Sequence, residues 1–194
     1  MTDHFAALHQ VKVRGFATAE AVATGLGSTP EAVEPTLREL ETLGLVKYRE
    51  GRVTGFSLTS DGRARHTELR DEALTPEKRE RVAAAYSAFL QPNRDFKRLT
   101  TEWQTRDEST DAAGLLDRLG VLHSAVDALL VNAGEVEPHF EAYRSRFDAA
   151  LGRLRDGDES AFARPMSDSY HDVWMELHED LLATLGHERT DADE

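Results

Sequence analysis

The chain has 194 residues, a net charge of −13, an apolar content of 40% and no cysteine. That length can bury a real core in one or two domains. The lack of cysteine excludes a disulfide framework, thiolate metal sites and a cysteine nucleophile. No stretch approaches the roughly 18 apolar residues of a membrane span. The start, MTDHFAALHQ, has neither the basic lead nor the apolar run of a signal peptide. A cytoplasmic protein with no membrane partner is expected.

The charge is unevenly placed. Residues 1–70 hold nine basic and nine acidic side chains, whereas residues 71–194 hold fourteen and twenty-seven. Such asymmetry suggests two functional regions, a neutral N-terminal part and an acidic body. The other reading of the acidic excess is a solubility surface.

In chain order, Phe5, Leu8 and Val11 predict a short amphipathic helix over His4 to Val13, stopped by Gly15. Thr18 caps a second helix from Ala19 to Thr24, ended by Gly25 and Gly27. Ser28-Thr29-Pro30-Glu31 is a strong helix start, with a hydroxyl cap, an early proline and a glutamate three residues after Ser28. Val33, Leu37, Leu40 and Leu43 then follow at helical spacing to Gly44. Pro35 is the awkward residue, because it removes a backbone hydrogen bond and should kink the first turn or delay the start. After Gly44 the period becomes two. Leu45–Arg49 and Phe56–Thr59 predict two strands, with Arg49 and Arg52 near the tip of the connection. Thr59 or Ser60 caps a further helix to about Asp71, and a linker is expected over Glu72–Thr75.

Helix, turn, helix, basic hairpin and a return strand closing in Leu58-Thr59-x-x-Gly62-Arg63 together resemble the winged helix-turn-helix regulators of the MarR and PadR type. The resemblance covers about residues 4–70. It implies a bacterial transcriptional regulator that binds double-stranded DNA as a homodimer.

Beyond the linker everything reads helical. Val82, Ala85, Tyr86 and Phe89 make a stripe stopped by Pro92, and Asn93 caps a new helix carrying Phe96, Leu99 and Trp103. Leu115 to Leu130 predicts a long apolar helix, Phe140 to Leu154 another after Pro138, and Ser167 to Leu185 a last one. Residues 155–160 read as a turn and 188–194 as a frayed polar tail. The expected fold is mainly α: a winged helix-turn-helix over 1–72 with a small β-hairpin wing, then an all-α domain over 73–194.

In such a module the second helix of the pair enters the major groove and the wing reaches the backbone. Thr29, Ala32, Thr36, Arg38 and Glu39 should face outward, with Arg38 able to read guanine bidentately. Lys47, Arg49 and Arg52 are the expected wing contacts, with Lys12 and Arg14 adding to them. The expected DNA-binding set is Thr29, Thr36, Arg38, Lys47, Arg49 and Arg52. Against it, Glu31, Glu34, Glu39 and Glu41 make the reading helix acidic beside phosphates.

In the helical domain Asn93, Lys97, Trp103 and Arg106 share one segment, and Tyr170, His171 and Trp174 another. These seven residues are the candidate wall of a small-molecule effector site. The competing reading makes Trp103 and Trp174 core residues with paired indole N–H groups. His139, His171 and His178 lie near carboxylates, but His171 and His178 are seven residues apart, about 10.5 Å along a helix, too far to share one ion easily. No metal or cofactor is expected. With no Gly-rich phosphate loop and no Gly-x-Ser-x-Gly elbow, an enzyme is not expected either. A second functional reading is a protein–protein adaptor that works through its acidic helical domain, with the winged helix as a docking module.

Overall fold

The computed structural model describes residues 2–51, 54–107 and 110–187. It is mainly helical, with one two-stranded antiparallel sheet among the described residues. Two compact units divide the chain: Met1–Arg79 with Leu182–Glu188, and Glu80–Leu181. The first unit therefore holds Leu182–Glu188, which the sequence placed in the second domain.

The first unit is built from α1 (His4–Arg14), α2 (Ala19–Gly25), α3 (Pro30–Thr42), strands β1 (Val46–Arg49) and β2 (Gly55–Leu58), and α4 (Ser60–Ala73). Its core gathers Leu8, Val11, Val22, Val33, Leu37, Leu40, Val46 and Phe56, each at most 2% exposed. Capping follows the sequence. The Thr18 hydroxyl accepts from the Ala21 N–H at 3.2 Å, and that of Thr59 accepts from the Gly62 N–H at 3.0 Å. Gly62 is required because a Cβ there would strike the Leu45 carbonyl. Gly55 adopts φ +155 and lies where a Cβ would meet the Ala17 carbonyl, which pairs with Phe56 in an isolated bridge. His9 Nδ1 and His66 Nε2 stand 2.9 Å apart between α1 and α4, both buried.

Three expectations are corrected here. The N-cap of α3 is Thr29, not Ser28. Pro35 neither shortens nor delays α3, which runs from Pro30; the proline sits on the exposed side, where its missing N–H costs one first-turn bond. Thr36 does not face outward. It falls at the i+3 position from Val33 and the i−4 position from Leu40, on the buried stripe, and donates to the Thr2 carbonyl at 3.3 Å.

The second unit contains residues of α5 (Pro76–Gln104), α6 (Ala112–Gly134), a 3-10 turn (Pro138–Phe140), α7 (Glu141–Arg155), α8 (Ser160–Ala163) and α9 (Tyr170–Leu185). Pro92 does not stop a helix as expected. The buried stripe Val82, Ala85, Phe89, Asn93, Phe96, Leu99, Trp103 keeps its phase straight through it, so packing outweighs one missing backbone bond. Asn93 is consequently no cap; its side chain is inside. The short α8 was not anticipated, and its Phe162 is fully buried against Trp103 with ring centroids 4.5 Å apart. No helix among the described residues is long and apolar enough to cross a membrane.

Candidate nucleic-acid interface

Strand alternation sorts the hairpin into two unlike faces. Val46 and Tyr48 point one way and Lys47 and Arg49 the other, and register pairs Tyr48 with Phe56 and Lys47 with Ser57. The first face meets α3. There Arg38 donates to Glu34 at 2.9 Å and to Glu41 at 3.0 Å, and its guanidinium lies 4.4 Å from the centre of the Tyr48 ring. The bond to Glu41 above all raises the Arg38 pKa; burial opposes it, and the Glu34 bond adds to the rise. Glu41 also accepts from the Tyr48 N–H at 3.1 Å, tying α3 to β1. Glu39 pairs with His4 at 3.2 Å. Glu31 is held ionised by its own backbone N–H and by the Thr29 hydroxyl at the helix start. The outer side of α3 therefore carries four carboxylates and one guanidinium, which Glu34 and Glu41 already engage.

The second face of the hairpin opens into a cleft of about 430 Å³ lined by α1, the hairpin and α4. Lys12, Lys47, Arg49 and Arg63 line it with no carboxylate among them. Arg63 is anchored by donating to the Leu58 carbonyl at 3.1 Å. Lys47 and Arg49 are exposed, and no ion pair holds either among the described residues. Four basic side chains with no carboxylate beside them in the lining make this cleft locally positive.

Of the expected DNA-binding set, the structure thus brings Lys47 and Arg49 together with Lys12 and Arg63. Thr29 is exposed at the start of α3, Arg38 is tied along its own helix, Thr36 is buried, and Arg52 lies outside the described residues. Arg14 is also turned inward, with Nε and Nη2 shielded from solvent. The pairing of Arg38 was visible in the i−4 and i+3 spacing of Glu34 and Glu41. The role of Arg63 was visible only as part of the Leu58–Arg63 motif.

The seven residues of the expected effector site separate into two groups. Asn93, Lys97, His171 and Trp174 line one cleft of about 330 Å³ between α5 and α9. Inside it the Trp174 indole N–H donates to Asn93 Oδ1 at 2.9 Å, both groups buried. Burial lowers the His171 pKa, opposed by nearby Asp172. Trp103, Arg106 and Tyr170 are not in that lining. Arg106 lies over the Trp103 ring at 4.1 Å and pairs with Glu159, while Tyr170 is in the core, 4.9 Å from the Phe147 ring. Residues of the cleft that sequence reasoning passed over are Thr100, Thr101, Gln104 and Met175, of which the first three share the α5 face of Asn93, Phe96 and Lys97.

The histidines weighed for metal go to different neighbourhoods. His139 donates to Asp180 at 3.0 Å, His171 lines the cleft, and His178 packs 5.3 Å from Phe89. Asp180, fully buried, also accepts from the Tyr143 hydroxyl at 2.8 Å; burial, then that carboxylate, pushes the Tyr143 pKa well up. Burial works against the charge of Arg146, and its bonds to Glu176 and Asp168 overcome that, leaving its pKa raised.

Compared with protein-family models, with curated proteins and with solved structures, the chain matches none.

Proposed function

We propose that the first unit is a winged helix-turn-helix of the MarR and PadR type, and that the protein is a cytoplasmic, non-enzymatic bacterial transcriptional regulator. It binds double-stranded DNA as a homodimer, each module taking one half-site, and two half-sites a helical turn or two apart give the pair useful affinity. The second unit carries dimerisation and effector sensing. The order of helix, isolated bridge, helix, turn, helix, hairpin and helix supports the fold part of this reading.

The observation that carries the functional part is the cleft of Lys12, Lys47, Arg49 and Arg63 without a carboxylate, in a chain of net charge −13. Phosphates seated there release counterions, and the hairpin supplies most of the affinity. The second reading, a protein–protein adaptor, is favoured by one observation: the acidic outer side of α3, whose single arginine is engaged by Glu34 and Glu41. A mobility-shift titration of the full-length protein on the duplex upstream of its own reading frame separates the two. The regulator gives a salt-sensitive complex that Lys47→Ala/Arg49→Ala weakens. No complex at low salt, or a double variant that behaves like the parent, leaves the adaptor standing.

A further inference from the structure

The α5–α9 cleft has the make-up of a binding site. Asn93, Phe96, Lys97, Thr100, Thr101 and Gln104 recur along one face of α5, and His171, Trp174 and Met175 along one face of α9. Its volume, about 330 Å³, falls in the range of small-molecule pockets. Phe96 and Trp174 in the floor are at most 2% exposed and stack with centroids 4.2 Å apart, giving a rigid apolar base.

Two further features point to an anionic occupant. None of the nine lining residues is acidic, although residues 71–194 hold nearly twice as many acidic as basic side chains. Lys97 is the lone permanent cation in the wall, and His171 adds an imidazole. The second feature is a hydroxyl. Thr101, on the same helix, and Thr105, just past its end, donate to carbonyls four residues back at 3.1 and 2.9 Å. Thr100, only 8% exposed, does not; its Oγ1 is shielded from solvent and has no hydrogen-bond partner among the described residues. A buried hydroxyl left unpaired is costly, and a bound acceptor would relieve it.

We propose that this cleft binds a small organic carboxylate with an apolar body, the body resting on Phe96 and Trp174 and the carboxylate held by Lys97, with Thr100 and His171 donating to it. One cation suits a monoanion; a nucleotide or polyphosphate would need several. As the effector site of a regulator the cleft rests on the DNA-binding reading, but binding itself does not.

Isothermal titration calorimetry of the full-length protein with phenylacetate and with hexanoate tests it, alongside 2-phenylethanol and hexanol as uncharged counterparts. At least one carboxylate should bind saturably at millimolar concentration or below, and more tightly than its alcohol. Lys97→Gln should weaken that binding roughly tenfold or more without weakening the alcohol. Thr101→Trp, which fills the mouth from an exposed position, should abolish binding at an unchanged melting temperature. With Trp103→Phe, the remaining indole at Trp174 should still report the carboxylate by fluorescence. Lack of saturable binding by either carboxylate overturns the proposal, as does binding that survives both Lys97→Gln and Thr101→Trp. No DNA is present, so failure here leaves the regulator reading intact, and a failed mobility shift leaves the calorimetry intact.

Discussion

The two units place their charged groups differently. The first sorts its charges onto separate surfaces, with Lys47 and Arg49 on one side of a hairpin and Arg38 among glutamates on the other. The second buries polar groups in pairs: Trp174 with Asn93, Tyr143 and His139 with Asp180, and Arg146 with Glu176. A neutral total over residues 1–70 conceals the sorting, because a two-residue period separates neighbours in sequence onto opposite faces. An acidic total over the rest conceals a cleft whose wall has no acid at all.

Substitutions in the two units should differ widely in effect. The largest effect is expected for Lys47→Glu/Arg49→Glu, which replaces two cations of the cleft by anions; affinity for the upstream duplex, measured by fluorescence anisotropy, should fall roughly a hundredfold or more. Asn93→Ala strands the buried Trp174 indole N–H and should cost the second unit about 1–3 kcal/mol in urea denaturation. Unchanged stability there would mean that pairing is not what keeps polar groups inside this unit. Glu34→Gln/Glu41→Gln releases Arg38 and removes two repelling charges, while glutamine still accepts from the Tyr48 N–H. DNA affinity should rise several-fold, to roughly tenfold at most.

Arg38→Ala should do less. Its ion pairs are exposed and its ring contact modest, so stability should drop by about 0.3–1 kcal/mol and DNA affinity by less than about threefold. A bidentate guanine contact would instead be worth about 1–3 kcal/mol of discrimination. The smallest effect concerns His171. Its folded pKa lies below the ordinary 6.5 because burial disfavours the charged ring. Its contribution to stability is therefore complete above pH 6.5 and lost as pH falls from there through the folded pKa. His171→Gln should flatten the acid limb of a stability–pH profile below 6.5, and the profile is checked by urea midpoints.

Much of the architecture was legible in the sequence because capping and periodicity are local. Thr18, Thr59 and the stretch from Val46 to Leu58 form the caps and strands that their residue types suggest. What was not legible depends on packing. Pro92 reads as a stop until the apolar stripe on both sides of it is seen to keep one phase. Thr36 reads as outward because it is polar, yet its position places it on the buried stripe of α3. At the candidate sites, Lys47, Arg49, Asn93, Lys97, His171 and Trp174 were named from residue type and spacing. That Arg38 is engaged, and that Thr100 has an unbonded hydroxyl, required side-chain geometry.

In the proposed regulator the cationic face of the hairpin, not the outer side of α3, meets the DNA backbone. The most direct measurement is the dependence of binding on salt, as log K against log salt concentration, for the parent, Lys47→Gln/Arg49→Gln and Arg38→Gln on one duplex. Each lost phosphate contact lowers the slope by about one, so the hairpin variant should be shallower by about two and Arg38→Gln should match the parent. A hairpin variant with the parent's slope, or a shallower slope for Arg38→Gln alone, would contradict it.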